Sequence, residues 1–185
     1  MPGDTQELER IFNNHQHRGF DGSQLLALLD WKLIARNTLP VAATSLVMDG
    51  IPTRTFIRVF IQHGAKSGVG NNFLRFNNDS GSNYTFIDEG GTARTSRAEI
   101  DLIDAANNSL GYFYTIDVVN IFGSVKVMKC ESLARITSAA TAQSFQEIRG
   151  TWVNTTANIT RVDLISSNSQ TFPANSSIAI YGSNF

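Results

Sequence analysis

The chain has 185 residues, a formal net charge of −1 and 42% hydrophobic residues, which suits one domain with a core and excludes a wholly disordered chain. Lys and Arg are scattered singly, and no apolar run approaches the ~20 residues of a membrane-spanning helix, so we expect neither nucleic acid nor membrane as a partner. The single cysteine, Cys130, excludes an internal disulfide, and its alternating surroundings predict a buried strand thiol.

The N-terminal part of the sequence differs from the rest. It holds two of the three histidines, mixed charges and few β-branched residues. Such a segment has too little apolar content to order by itself. We therefore expect an N-terminal arm over residues 1–28 that orders against partner subunits, followed by one β domain over residues 29–185.

Short β-prone segments separated by turns fill the chain after the arm. About ten such segments at close spacing predict an all-β fold, a jelly-roll-like antiparallel β-sandwich with an extended N-terminal arm. Residues 88–98 read as a long polar loop, and residues 97–106 are the one helical candidate. The predicted strands cover residues 31–35, 42–48, 55–62, 73–76, 84–87, 112–119, 124–130, 132–137, 151–155, 160–166 and 177–181.

The apolar residues of these segments are the candidates for the core. The face that each strand turns inward is not fixed by the sequence, so some of them are expected to point outward. The candidate core residues are Phe56, Ile57, Val59, Phe60, Leu74, Phe76, Phe113, Val125, Val127, Trp152, Val162, Leu164 and Ile180.

No set of residues suited to catalysis assembles in the sequence, and we expect a protein that is not an enzyme. His63 is the sole histidine after the arm, and its place at a strand end indicates a solvated side chain. A pair of carboxylates for glycoside hydrolysis is conceivable, but the nearby arginines favour ordinary ion pairing at the surface. The acidic candidates are Asp88, Glu89, Glu99, Asp101 and Asp104, and the arginines are Arg94 and Arg97.

Two histidines in the arm, His15 and His17, form a candidate metal site. On an extended chain residues i and i+2 point to the same side, but two imidazoles alone make a poor site. Three copies around a three-fold axis would supply six imidazoles, which suits an octahedral transition metal. The alternative is an exposed arm without metal, and no other cofactor is expected.

The segment at residues 77–83 alternates Asn77, Asp79 and Asn83 in the manner of a calcium loop. It contains only one carboxylate, which is too little charge for that ion. Asx side chains that bond their own backbone explain the same turn without a metal.

Residues 74–84 (LRFNNDSGSNY) resemble a stretch of tailed-bacteriophage virion proteins of the jelly-roll type. In that family the stretch follows a turn and a strong strand, and Gly-X-aromatic, Ile-Thr and Tyr-Gly motifs come later. Here those features match residues 50–52, 55–62, 150–152, 159–160 and 177–182. Residues 15–23 (HQHRGFDGS) are also similar to a segment near the N-termini of phage tail and appendage proteins, where histidines can line a trimer axis.

The resemblance implies a non-enzymatic structural protein located in the virion. One hypothesis is a trimeric head decoration (cement) protein that stabilises the capsid, with copies of itself and the major capsid protein as partners. The alternative is a tail fibre, baseplate or adaptor component whose β domain binds glycans of the host surface. A sugar-active enzyme has only the carboxylate cluster in its favour.

Overall fold

Twelve β-strands account for more than half of residues 31–88, 90–102, 111–135 and 145–184, the part of the chain that the computed structural model describes. These residues contain no α-helix and one short 3-10 helix at Ser167–Ser169. The strands are β1 Lys32–Thr38, β2 Ser45–Met48, β3 Phe56–His63, β4 Asn72–Phe76, β5 Tyr84–Ile87, β6 Ala93–Arg97, β7 Ile100–Asp101, β8 Gly111–Val119, β9 Lys126–Arg135, β10 Phe145–Trp152, β11 Val162–Ser166 and β12 Ser177–Ser183.

The strands form two antiparallel sheets that pack as a sandwich, which confirms the predicted fold class. The large sheet has eight strands in the order β1-β12-β3-β8-β9-β10-β5-β6. The small sheet has four, in the order β2-β11-β4-β7. Both sheets send alternate side chains into one shared core, as the two-residue period of a strand requires.

Strand β3 shows how the sequence builds this core. Its residues Ile57, Val59 and Ile61 are fully buried, while the residues between them turn toward the opposite side of the sheet. The small sheet contributes Leu74 and Phe76, which are equally buried. The buried members of the predicted core therefore come from both sheets, as a sandwich demands.

Five predicted core residues face outward or are only partly buried. Phe113, Val125 and Val127 are between 41% and 44% exposed, and Phe56 and Phe60 are only half-buried. Their neighbours in sequence fill the core instead, because pairing with adjacent strands fixes the phase of every side chain at once. Even Lys126 is buried in this register.

The buried Lys126 is compatible with the core because its ammonium group donates two hydrogen bonds. Nζ lies 2.8 Å from the carbonyl oxygen of Ser124 and 2.9 Å from that of Asn154. Burial lowers the pKa of Lys126. The aliphatic stem thus packs inside while the charge is satisfied by backbone oxygens at the sheet end.

The segment predicted as loop and helix contains two strands. Ala93–Arg97 is β6, an edge strand whose five residues are all exposed, and it pairs with β5. Ile100–Asp101 is β7, which pairs with β4, so the helical prediction is wrong for residues 97–102, and residues 103–106 lie outside the described part. An edge strand needs backbone pairing on one side only, so its polar sequence carries little strand signal.

Gly150 in the Gly-Thr-Trp motif stands where the two sheets come close. A Cβ atom at this position would lie 2.8 Å from Cδ1 of Ile100 in the small sheet and 3.3 Å from Cγ of Met128. Packing therefore explains the glycine of this motif, since only glycine fits without displacing Ile100.

Candidate functional site

The most distinctive surface of the described residues is the outer face of the large sheet, on the side away from the core. We call it the open face, defined by the outward side chains of the six adjacent strands β12, β3, β8, β9, β10 and β5. On β9, the inward residues alternate with Val127, Lys129, Glu131 and Leu133, which point outward. The core side of this sheet is covered by the small sheet, whereas the open face carries large apolar side chains in contact with solvent.

One row of the open face is apolar across three strands. The antiparallel register places Phe113 beside Leu133, and Leu133 beside Phe145. These side chains are 41%, 43% and 45% exposed, respectively. Phe60 stacks on Phe113 with ring centroids 6.0 Å apart, and Tyr181 meets Phe60 edge to face at 5.6 Å. Phe60 and Tyr181 belong to the two adjoining rows, so the apolar surface continues diagonally from Phe113 toward β12.

On β9 and β10 the next two rows of the open face are charged, and these charges form ion pairs within the chain. Lys129 Nζ lies 2.7 Å from Oε1 of Glu131 and 3.9 Å from Oε2 of Glu147. Arg149 Nε lies 2.7 Å from Oε1 of Glu147. The hydrogen bond from Arg149 lowers the pKa of Glu147, and that to Glu131 raises the pKa of Lys129.

A second ion pair on this face joins β3 to β8. Arg58 donates from Nε and from Nη2 to the two carboxylate oxygens of Asp117, at 2.6 and 2.9 Å. This bidentate bond raises the pKa of Arg58. Trp31 covers the guanidinium, with the ring centroid 5.0 Å from Cζ of Arg58.

The far end of the open face forms a shallow groove of about 550 Å³. Its floor is lined by Val119, Val127 and Thr151, with Ile87 and Trp31 on its sides. Ile87 is 46% exposed. The face thus has apolar groups at both ends of its strands and charges in the middle.

The outer face of the small sheet is different in character. Arg75 contacts Glu99 through Nε at 3.0 Å, and Arg161 makes a bidentate bond to the buried carboxylate of Asp163. Hydrogen bonding to Asp163 raises the pKa of Arg161. This face is polar and internally satisfied, so the open face is the better candidate for a protein contact.

A separate groove of about 720 Å³, which we call the polar groove, is lined by residues of β5, β6 and β10 in the large sheet and by Asp101 of β7 in the small sheet. Side chains with opposite charges line it, including Asp88, Arg94, Arg97 and Asp101. Asn71 donates to Asp101 at 2.6 Å. A cleft with carboxylates, guanidinium groups and amides offers the hydrogen-bonding groups that polar ligands such as sugars need.

His63 is buried, which corrects the prediction of a solvated strand-end histidine. Its Nδ1 lies 2.7 Å from the carbonyl oxygen of Gly64, and Nε2 lies 3.0 Å from Nδ2 of Asn72. Burial is the main reason that the pKa of His63 is lowered to about 4, and the charge of Lys66 adds to it. A neutral ring with Nδ1 donating and Nε2 accepting fits both contacts.

Asn72 connects this histidine to two further polar side chains. Its Nδ2 also donates to the hydroxyl of Tyr114 at 2.6 Å, and its Oδ1 accepts from Lys66 Nζ at 2.8 Å. Burial lowers the pKa of Lys66 to about 8. Because β3, β4 and β8 each contribute a member, the network joins the large sheet to the small one. The described members of this network are hydrogen-bonded to one another, so we assign the network a structural role.

The turn that carries the resemblance is organised by Asp79. One carboxylate oxygen accepts from the backbone nitrogen of Gly81 at 2.9 Å, and the other accepts from Trp152 Nε1 at 2.7 Å and Asn83 Nδ2 at 2.9 Å. Burial opposes ionisation, but these hydrogen bonds outweigh it and lower the pKa of Asp79. Asn77 has a φ of 54°, in the left-handed region that Asn tolerates. The Asx explanation of the turn is thus confirmed.

The remaining candidate residues do not come together. Glu99 pairs with Arg75 rather than with the arginines near it in sequence, and Asp88 accepts from the backbone of Thr92 at 2.9 Å. Glu89 and Asp104 lie outside the described residues, as do the proposed metal ligands His15 and His17. Within the described ranges, no group of three or more His, Cys, Asp or Glu side chains could hold a metal ion.

The open face is not predicted by the sequence analysis. That analysis places Phe113 and Val127 in the core and does not identify Leu133 or Phe145 as candidates. The available signal was the run over residues 125–134, where apolar residues occur on both sides of the alternation. Such a strand can bury one side and still expose apolar groups on the other.

No protein-family model matches the chain, and no curated protein matches it either. Across the described part of the chain, no helix is long and apolar enough to cross a membrane.

Proposed function

We propose that the protein is a non-enzymatic structural subunit of a bacteriophage virion, a head decoration protein that acts as a homotrimer and holds capsid subunits together. The observation that carries the proposal is the open face, with Phe113, Leu133 and Phe145 in one exposed row. Contiguous apolar surface of this kind is typical of a site that another protein covers. The virion as its location is supported by the resemblance of residues 74–84 and 150–152.

We infer further that the sandwich is a jelly roll. Apart from the strand pairs β5–β6 and β9–β10, the large sheet has the order β1-β12-β3-β8 and the small sheet β2-β11-β4-β7. The first four of these strands alternate between the sheets, with β1 and β3 in the large sheet and β2 and β4 in the small one. Two four-stranded sheets connected in this way are typical of the jelly rolls found in viral particles.

The trimer and the arm belong to the same proposal. The large sheet ends in β1 and β6, and the small sheet ends in β2 and β7, so a sheet edge is available for contacts between copies. The arm over residues 1–28 would reach neighbouring subunits, and His15 and His17 would then lie near the three-fold axis. An extended arm covers much area for few residues, which suits lattice binding.

The role predicts that the protein is incorporated into particles through the open face. A Leu133→Asp variant should fold, because Leu133 is 43% exposed, yet its copy number in purified particles should fall at least tenfold. Quantitative mass spectrometry of particles measures this number. Hundreds of wild-type copies per particle indicate a head decoration protein, whereas a handful indicates a tail component.

The matched control is Val69→Asp, which places the same charge at a side chain that is 60% exposed in the loop between β3 and β4. This variant should be incorporated like the wild type. Wild-type protein that is absent from particles, or equal loss of both variants, would contradict the proposal.

A second candidate function is a tail fibre, baseplate or adaptor component that binds host glycans. The polar groove favours it, since the exposed Arg94 and Arg97 can bind a carboxylate of an acidic sugar. On a glycan array, the wild type should then retain acidic glycans that an Arg94→Ala/Arg97→Ala variant does not. Arg36→Ala, which removes an exposed arginine from β1, is the control and should bind normally.

A further inference from the structure

We propose that the open face binds the open face of a second copy of this chain around a two-fold axis. The inference rests on the proposed role of this face as a subunit contact, and it names the partner. It goes beyond the arm-and-edge trimer, because it uses a surface that such a trimer leaves free. Two-fold and three-fold contacts together would give a hexamer of D3 symmetry.

The argument begins with the order of outward side chains along β9. They read Val127, Lys129, Glu131 and Leu133, that is, apolar, positive, negative and apolar. A half-turn about an axis that lies in the interface, at right angles to the strands and between Lys129 and Glu131, reverses this order. In the second copy Glu131 then lies opposite Lys129, and Leu133 lies opposite Val127.

The neighbouring strand β10 repeats three of these four positions in register. Pairing places Arg149 beside Lys129, Glu147 beside Glu131 and Phe145 beside Leu133, while the polar Thr151 lies beside Val127. The same half-turn therefore sets Arg149 opposite Glu147 of the second copy. Two adjacent strands thus give the same match of opposite charges across the axis.

Burial of these charges costs desolvation, and this cost is reduced because each charge is already paired within its own chain. The face carries three cations and three anions, which are Arg58, Lys129, Arg149, Asp117, Glu131 and Glu147. Desolvating a charge is costly when it is left without a partner. Here the half-turn adds further opposite charges, while Asp117 keeps its bond to Arg58.

The size of the face also suits a stable contact. Six strands from β12 to β5 span about 29 Å, and four outward rows span about 26 Å along the strands. The product is on the order of 750 Å² for each partner, close to the ~800 Å² per partner of a standard protein interface. Aligned packing of two sheets at about −30° is a common arrangement.

Charge reversal at the axis tests the inference with the full-length chain. Analytical ultracentrifugation at micromolar concentrations should give the wild type twice the mass of the Lys129→Glu variant and of the Glu131→Lys variant. Each single change puts two like charges opposite each other around the axis. An equimolar mixture of the two single variants should recover the wild-type mass, because acidic and basic pairs again face each other.

The Lys129→Glu/Glu131→Lys double variant is the matched control. It keeps the composition of the face, restores opposite charges across the axis and should regain the wild-type mass. Singles that keep the wild-type mass, or a mixture and a double variant that stay at the lower mass, would overturn the two-fold arrangement.

A cross-linking test fixes the register. In a Val127→Cys/Leu133→Cys variant the two new thiols of one chain lie about 20 Å apart along β9. Across the proposed axis they lie opposite each other at the ~10 Å spacing of packed sheets, so a bis-maleimide with a spacer of about 10 Å should link two chains, whereas Val127→Cys alone should not link them. Cys130 is buried and does not interfere.

The failure of this inference is distinguishable from the failure of the proposed function. If the wild type does not pair in solution but the Leu133→Asp variant is lost from particles, the two-fold contact is overturned, and the virion role stands with another subunit on the open face. If the variants pair as their charges predict but the protein is missing from particles, the two-fold contact stands and the virion role is overturned.

Discussion

Replacement of Phe76 by Ala should lower the free energy of unfolding by about 3–5 kcal/mol. Phe76 is fully buried on β4, and its ring lies 5.9 Å from that of Trp152 and 6.4 Å from that of Tyr84, centroid to centroid. Its removal leaves a cavity that these large, hydrogen-bonded side chains cannot close, since Trp152 is held by Asp79. Equilibrium unfolding in urea, with the slope compared between variants, measures the loss.

The control is Phe113→Ala, which removes the same side chain from the open face. Phe113 is 41% exposed, so this change should lower the stability of the isolated domain by about 1 kcal/mol or less while weakening contacts between subunits. Equal losses of stability in the two variants would contradict the assignment of inner and outer faces.

Lowering the pH from about 6.5 to about 4 should remove about 3 kcal/mol of stability through His63 alone. Its pKa is about 4 in the folded protein against 6.5 for an unperturbed histidine. Between those values the unfolded chain binds a proton that the folded chain does not, so stability rises with pH in this window. Below about pH 4 both states are protonated and the contribution of His63 no longer changes.

The groups around His63 are consistent with a lowered pKa and with stability that rises with pH. Lys66 supplies a positive charge that disfavours the imidazolium, and the side chains of Asn72, Tyr112 and Tyr114 that surround the ring are uncharged in this pH range. Chemical denaturation at a series of pH values should show a steeper decline for the wild type than for His63→Gln. The amide of Gln can accept the bond from Asn72 but does not titrate.

Carboxylates also contribute to acid sensitivity, so the difference between the two curves is the informative quantity. Parallel curves for the wild type and His63→Gln between pH 6.5 and 4 would show that His63 is not held neutral in the folded state. A general loss of stability in the variant shifts its curve but does not change the slope.

Much of the β architecture could be predicted from the sequence because it depends on local patterns. The run at β3 is rich in β-branched and aromatic residues, and it is an interior strand of the large sheet. The turn after β4 follows from the Asn and Asp side chains at residues 77–79, because such side chains accept hydrogen bonds from nearby backbone groups and Asn tolerates a left-handed backbone conformation. Trp152 and Leu164 were assigned to the core correctly, since large apolar side chains in such strands are seldom left outside.

The candidate site could not be predicted in the same way, because it depends on which side of the large sheet meets the small one. Along β9 a two-residue period places Val127 and Leu133 on one side and Met128 and Cys130 on the other, and each side carries both apolar and polar residues. Local sequence cannot choose between them, whereas pairing with β8 and β10 and the position of the small sheet decide for all strands together.

The β class, the turn chemistry around Asp79 and the strongest strands could be inferred from the amino-acid sequence, since they follow from the preferences of residues and their near neighbours. The burial of His63, the pairing of the polar strands β6 and β7 and the exposure of Phe113 became evident only in the folded protein. Each of these depends on a partner on another strand or sheet: Asn72 for His63, β5 for β6, β4 for β7, and the facing sheet for Phe113. Such contacts are set by the packing of whole sheets, which is a property of the fold and not of any local segment.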